Sequence, residues 1–161
     1  MSSREGSPGP GPNLGAMMLD GLAGRTHTSD WLTIDQARID AFADITGDHN
    51  RLHTDPAWAA EHSPYKTTIA HGFLTLSLLP EMAEGLFERT AGTVGVNYGL
   101  DRLRLIAPVP VGSRVRGTFT IAGVDPRPNG AILHVNAEVQ IDGGARSALV
   151  ADWLIFLTQA P

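Results

Sequence analysis

The residues best equipped for chemistry stand close together, in the run Gly47-Asp48-His49-Asn50-Arg51-Leu52-His53-Thr54-Asp55-Pro56. An imidazole beside a carboxylate suits the addition of water to carbon. One group takes a proton from water, while the other gives a proton to, or removes one from, the carbon next to a carbonyl. Asp48 and His53 are five positions apart, too far for one helical turn but easily convergent in a loop. The same residues have a plainer reading, in which Asp48 caps a turn, Asp55 caps a helix and His53 lies on the surface. His49 and His53 also have the H-x3-H spacing of a metal pair, with Asp48 and Asp55 alongside. Two such rings share a face only on a helix, whereas Gly47, Asn50 and the Asp-Pro pair argue for a loop. No metal is expected there.

A second cluster is Ala70-His71-Gly72-Phe73, at the entrance to an apolar helix. A glycine at a helix start lets a ligand approach bare backbone, and the unpaired N–H groups there can hold a developing oxyanion. Equally, Gly72 relieves crowding and His71 is a capping or packed histidine. Ser77, inside the helix, is of a type that usually bonds back to a carbonyl. Arg102 with Arg104, and Arg114 with Arg116, are each spaced to share a strand face; they suit either the phosphates of a nucleotide carrier or a solvated sheet face. Asp152 stands inside an apolar strand, as a strand end or a partnered carboxylate.

These residues have to be positioned by the elements around them. Trp31 to Ile34 reads as a short strand. A helix follows, with Thr33 and Gln36 spaced as a capping box. Its apolar stripe is Ile34, Ala37, Ile39, Phe42 and Ile45, and Gly47 is its stop. Asp55-Pro56 opens a short helix through Glu61. From Gly72 to about Arg89 the chain is apolar on nearly every side for two turns, which predicts a long buried helix kinked at Pro80. The rest reads as β structure. Val94, Val96, Tyr98 and Leu100 alternate, and the phase slips before Leu103, as a bulge near Gly99–Asp101 would explain. The runs Val115–Ile121 and Leu133–Ile141, joined by Asp125-Pro-Arg-Pro-Asn-Gly130, predict a hairpin with one wet face. The last run, Ala148–Leu157, is nearly all apolar and belongs in the centre of a sheet. One buried helix followed by a long antiparallel sheet makes an α+β domain in which the sheet wraps the helix.

With 161 residues the chain is expected to hold one domain, residues 16–161, behind a Gly/Pro/Ser-rich disordered tail, residues 1–15. The absence of cysteine excludes disulfides, thiolate metal sites and cysteine nucleophiles. A net charge of −5 argues against a broad nucleic-acid surface. Neither a secretory pattern nor an apolar run long enough to span a membrane is visible. A soluble cytoplasmic protein is expected.

Taken together, these motifs carry a family resemblance. Asp48 to Pro56 resembles the D-x-N-P-[IL]-H-x-D motif of the MaoC-like dehydratases, the (R)-specific enoyl-CoA hydratases. Ile69-Ala70-His71-Gly72-Phe73 resembles that family's [IV]-x-HG-[FM] entry to its central helix. Asn97-Tyr98-Gly99-Leu100 and Pro108-Val109-Pro110-Val111-Gly112 resemble its next strand and turn, so the likeness runs from about Trp31 to Leu157. It implies a hot-dog fold, with an antiparallel sheet wrapped around a long central helix. It also implies a homodimer, with acyl chains entering near the dimer interface. Asp48 and His53 fall on the family's catalytic acid–base positions, Gly72 on the amide that receives a thioester carbonyl, and Ser77 and Asn50 on supporting and substrate-binding positions. Arg51 departs from the pattern, which has a stiffening proline there.

The implied activity is reversible syn addition of water to a trans-2-enoyl thioester of coenzyme A or an acyl carrier protein, giving the (R)-3-hydroxyacyl product, with no cofactor. Three rivals share the fold. A tailoring dehydratase or cyclase would act on a carrier-bound polyketide-like intermediate, and a silent subunit would only bind acyl thioesters, for which it needs neither Asp48 nor His53. A thioesterase would place a carboxylate on or beside the long helix, where no acidic residue precedes Glu81.

Overall fold

The computed structural model describes residues 21–87 and 92–159. The expected tail, the domain start near Ala16 and the end of the long helix at Arg89 lie outside the described residues.

The sheet follows the alternation. Strands β1 (Thr26–Thr28), β2 (Leu32–Thr33), β3 (Thr93–Leu105), β4 (Arg114–Arg127), β5 (Gly130–Ile141) and β6 (Leu149–Gln159) form one antiparallel sheet. Its order is β1-β4-β5-β6-β3, with β2 also on β4. The β4–β5 hairpin is the expected one, in register from Val115↔Ile141 to Arg127↔Gly130. Val115, Phe119, Ile121, Leu133, Val135 and Val139 are buried on one face. Strand β6 is central, between β5 and β3. Its Asp152 points to the outer face and meets Arg102 of β3 at 3.2 Å, so it is a partnered carboxylate. The register of β3 on β6 shifts between Asn97 and Gly99 and again between Leu100 and Arg102, where the alternation slips.

The helices differ more from expectation. Helix α1 (Gln36–Thr46) is capped by the Asp35 carboxylate, which accepts from the Arg38 N–H at 2.9 Å, and not by a box on Thr33 and Gln36. It stops at Gly47, whose φ of 78° is the left-handed conformation that closes the last turn onto the Ala43 carbonyl. Ile39 and Ala43 are buried but Ile45 is 85% exposed, outside the expected stripe. Residues expected to form a loop include one helical turn, α2 (Arg51–Thr54), followed by α3 (Pro56–His62).

The long central helix is broken into α4 (Gly72–Ser77), α5 (Leu79–Met82) and a 3₁₀ turn at Glu84–Leu86. Pro80, in the first turn of α5, has no N–H to continue the ladder, and the break falls just before it at Leu78. Pieces this short do not persist alone. Leu74, Leu78, Leu79, Met82 and Leu86 are instead held in one core with Phe119, Ile121, Leu133, Val135 and Trp153 of the sheet. Each such side chain contributes ~1.5–3 kcal/mol by burial. Phe73, however, is 66% exposed, so the segment is not covered all round. An antiparallel sheet packed over a central helical segment is the hot-dog arrangement. No helix among the described residues is long and apolar enough to cross a membrane.

Candidate active site

Helix α2 exists because Asn50 starts it: its side-chain oxygen accepts the Leu52 N–H at 3.0 Å. Asp55 then starts α3, accepting from the Trp58 N–H at 2.9 Å. The Arg51 guanidinium donates to the same carboxylate from two nitrogens, at 3.0 and 2.9 Å, and stands 5.3 Å over the Trp58 ring. An ion pair and a cation–π contact thus tie the turn where the family pattern has proline. The Trp58 N–H, and after it Arg51, hold the Asp55 carboxyl below its ordinary value.

Gln36 fastens α2 to the rest of the domain. Its amide donates to the His53 carbonyl at 2.7 Å and to Asp40 at 2.8 Å, while its oxygen accepts from the buried Thr68 hydroxyl at 2.6 Å. The Ile69 N–H donates to the Leu52 carbonyl at 3.2 Å. The Ile69 carbonyl lies 2.7 Å from His53 Nδ1. A carbonyl only accepts, so Nδ1 carries the hydrogen, and in the neutral ring Nε2 presents a lone pair.

Beneath His53 lies His71, 3.9 Å between ring centroids and 30° from parallel. His71 is buried, and its Nε2 donates to the Asp48 carbonyl at 2.9 Å. The Asp48 side chain is exposed and accepts weakly from the Asn50 N–H at 3.3 Å. One carboxylate oxygen of Asp48 and one ring nitrogen each of His53 and His71 lie within 4.8 Å of one another. Asp48 and His53, chosen from sequence, therefore converge. As a metal set the trio is poor, because His71 Nε2 and His53 Nδ1 already serve carbonyls, leaving His53 Nε2, one exposed carboxylate and a His71 Nδ1 that is shut away from solvent. His49 points elsewhere, 3.9 Å from Asp44.

A cavity of about 290 Å³ opens beside His53, lined among others by Tyr65, Gly72, Thr75, Leu105 and Pro108. At Gly72 a Cβ would overlap the Cδ1 methyl of Leu105, with Cγ and Cδ2 at ordinary contact, 3.4 and 3.5 Å, so the crowding reading of this glycine has a physical basis as well. Ser77 does not line this cavity. Its hydroxyl donates back to the Phe73 carbonyl at 2.7 Å, and it faces a separate cavity of about 380 Å³ with Asn97, Tyr98 and Trp153. The side chain of Asn50 is spent on its cap. Three of the four paired arginines are engaged across the sheet, Arg102 with Asp152, Arg114 with Asp142, and Arg116 with Gln140 and the Trp31 ring, while Arg104 is exposed and donates to the adjacent Leu103 carbonyl at 2.7 Å. Sequence reasoning missed Gln36, spent on a capping box, and the tie that His71 makes to Asp48. Only a polar residue beside apolar ones hinted at either.

The geometry agrees with what known proteins resemble this chain. The MaoC like domain matches residues 22–141. The 3-hydroxyacyl-thioester dehydratase Z of Mycobacterium tuberculosis is 45% identical over 128 residues, 79% of this chain and 84% of that protein. Nodulation protein N of Rhizobium leguminosarum bv. viciae is 46% identical over 137 residues, 83% of this chain and 84% of that protein. Among solved structures, the (R)-hydratase from A. caviae involved in PHA biosynthesis matches with a TM-score of 0.68 at 26% identity, over 86% of this chain and 96% of that one. With the domain matched along most of its length and relatives of this identity, the chain belongs to the MaoC-like dehydratase family.

Proposed function

We propose that this chain reversibly adds water to a trans-2-enoyl thioester, forming the (R)-3-hydroxyacyl thioester, with Asp48 and His53 as the acid–base pair. The observation that carries the proposal is their convergence, with His53 in the wall of a cavity that it shares with Gly72, its Nδ1 committed to the Ile69 carbonyl and its Nε2 left for water. In the hydration direction, one of the pair removes a proton from water as its oxygen bonds to C3. The C2=C3 π electrons move towards the thioester carbonyl, and the other group delivers a proton to C2. The Gly72 N–H, in the first turn of α4 and without an intrahelical acceptor, receives the enolate oxygen. Helix α4 has only six residues, so this stabilisation comes from the bare amide and not from a macrodipole. Ser77 and Asn50 act at one remove, through the helix and the turn they hold.

The substrate is an acyl thioester of coenzyme A or an acyl carrier protein in the cytoplasm. The active species is a homodimer through the edge strand β3, whose Val94, Val96, Tyr98 and Leu100 are exposed. The relative named as a 3-hydroxyacyl-thioester dehydratase and the neighbour named as an (R)-hydratase support both substrate class and hand. The test is loss of the conjugated-thioester absorbance of crotonyl-CoA. Asp48→Asn and His53→Gln should each cut turnover by ~10²–10⁴-fold in folded protein, and the double variant should be little worse. Near-normal turnover in both singles would overturn the assignment, and oxidation of the product by an (S)-specific 3-hydroxyacyl-CoA dehydrogenase would overturn the hand.

A further inference from the structure

His71 has a position that packing alone does not account for. It is 3% exposed, stacks on the ring of His53 and meets the ring of Phe42 at a tilt, and has a buried Nδ1 with no hydrogen-bond partner. An unpaired buried nitrogen is destabilising, and a phenylalanine of similar shape would fill this place without one. What the histidine adds is the Nε2–H donated to the Asp48 carbonyl at 2.9 Å. It also directly precedes Gly72 in the chain, at the N-cap of α4. One side chain therefore touches the backbone of the acid–base carboxylate and the ring of the acid–base histidine, and it is joined covalently to the amide facing the substrate.

We propose that His71 is a positioning residue: its Nε2–H···O=C bond to Asp48 and its stack under His53 hold the pair and the Gly72 amide in one geometry. This rests on the hydratase reading above. A misplacement of about 1 Å can lower a rate by ~10²-fold without changing what binds. His71→Phe keeps the flat ring and removes the donor, whereas His71→Gln keeps a donor near the position of Nε2 and removes the ring.

The test is steady-state hydration of crotonyl-CoA by the full chain, with a melting curve for each variant. In His71→Phe, kcat should fall ~10–100-fold with KM within about threefold. His71→Gln should recover part of that loss. In an Asp48→Asn background the Phe substitution should cost clearly less than it does in wild type, because the part of its effect that runs through Asp48 is already lost. A folded His71→Phe with normal kcat, a Gln variant no better than Phe, or fully additive losses would each overturn the proposal. If the Phe variant does not fold, Gln is compared with Asn, which is too short to reach the carbonyl; equal rates overturn it too.

An activity-free measurement separates this proposal from the choice of substrate. The His49 amide nitrogen shares the peptide unit whose carbonyl His71 holds. Its NMR shift should move in His71→Phe and return towards wild type in His71→Gln. An unmoved signal overturns the tie even if crotonyl-CoA is hydrated. A moved signal without any hydration of crotonyl-CoA keeps the tie and removes the hydratase reading.

Discussion

Gly72→Ala sets packing against chemistry at a single atom. The added methyl would overlap Leu105 Cδ1 alone, with Cγ and Cδ2 at ordinary contact, 3.4 and 3.5 Å, in a side chain that is 49% exposed. That leucine can swing into solvent, so the overpacking cost sits at the low end of the usual range, ~1 kcal/mol. Gly72 does not adopt a positive φ, so the backbone adds no strain. Alanine also gains up to ~0.5–1 kcal/mol of helix propensity over glycine. The net change is about 0–1 kcal/mol, a fall in melting temperature of no more than ~4 °C for a chain of this size. If the Gly72 amide receives the thioester carbonyl as proposed, turnover should suffer far more, because the methyl is added beside that N–H. Loss of an oxyanion donor is worth ~10²–10³-fold, and partial displacement should cost at least ~10-fold. The assay is initial-rate hydration of crotonyl-CoA beside calorimetric melting, for Gly72→Ala and for Gly72→Ala with Leu105→Ala. Removing the leucine should relieve the clash without restoring turnover. If the double variant regains wild-type kcat, the glycine serves only to make room, and the amide has no role in the chemistry.

Gln36→Leu leaves the Thr68 hydroxyl and the His53 carbonyl without their partner, so urea unfolding should show a loss of ~2 kcal/mol at unchanged m; a loss below ~0.5 kcal/mol would mean that solvent replaces the amide at no cost. Asp55 has a folded-state pKa below its unfolded value, so its charge stabilises the native state above the ordinary value of 3.8, and that contribution is lost as pH falls through the lowered one. The melting-temperature gap between wild type and Asp55→Asn should therefore be full at neutral pH and close in strong acid; a constant gap refutes the assignment. Light scattering should find a dimer, and Val96→Lys with Tyr98→Lys should yield a monomer, whereas a wild-type monomer at micromolar concentration would remove β3 as the contact.

What could be read from the sequence was what neighbouring residues encode. Alternation fixes the β4–β5 hairpin because one of its faces is wet, and the slipped phase of β3 marks its bulges because each extra residue moves every later side chain to the other face. Asp48 and His53 stood out because they lie five residues apart in one short polar run, near enough to converge before their distant supports at Gln36, Ile69 and His71 are known. The ties that Gln36 makes to His53 and Thr68, and His71 to Asp48, did not, since those partners lie 17, 32 and 23 residues away along the chain and meet them only once α1, α2 and the segment at Thr68–Ala70 have docked. The break in the central helix was hidden for a similar reason. Pro80 announces a kink, but whether the helix bends or ends depends on how its apolar side chains meet Phe119 and Trp153. Strand β1 gave no signal, because Thr-His-Thr has no apolar residue to alternate and is recruited by the free edge of β4.

Asp48 is held mainly through its peptide carbonyl, at 2.9 Å from His71 Nε2, while its carboxylate takes only the 3.3 Å bond from Asn50 and lies 3.9 Å from the same ring nitrogen. On the proposed acid–base assignment, scaffold and reactivity sit on different atoms of one residue, and His53 divides its duties in the same way between Nδ1 and Nε2. An Asp48→Asn protein loses the basic oxygen yet keeps the bond that anchors the residue, so its pocket remains assembled around an idle centre. Such a protein is a substrate trap: it should hold an unreacted enoyl thioester long enough for the complex to be crystallised and the bound acyl chain read directly.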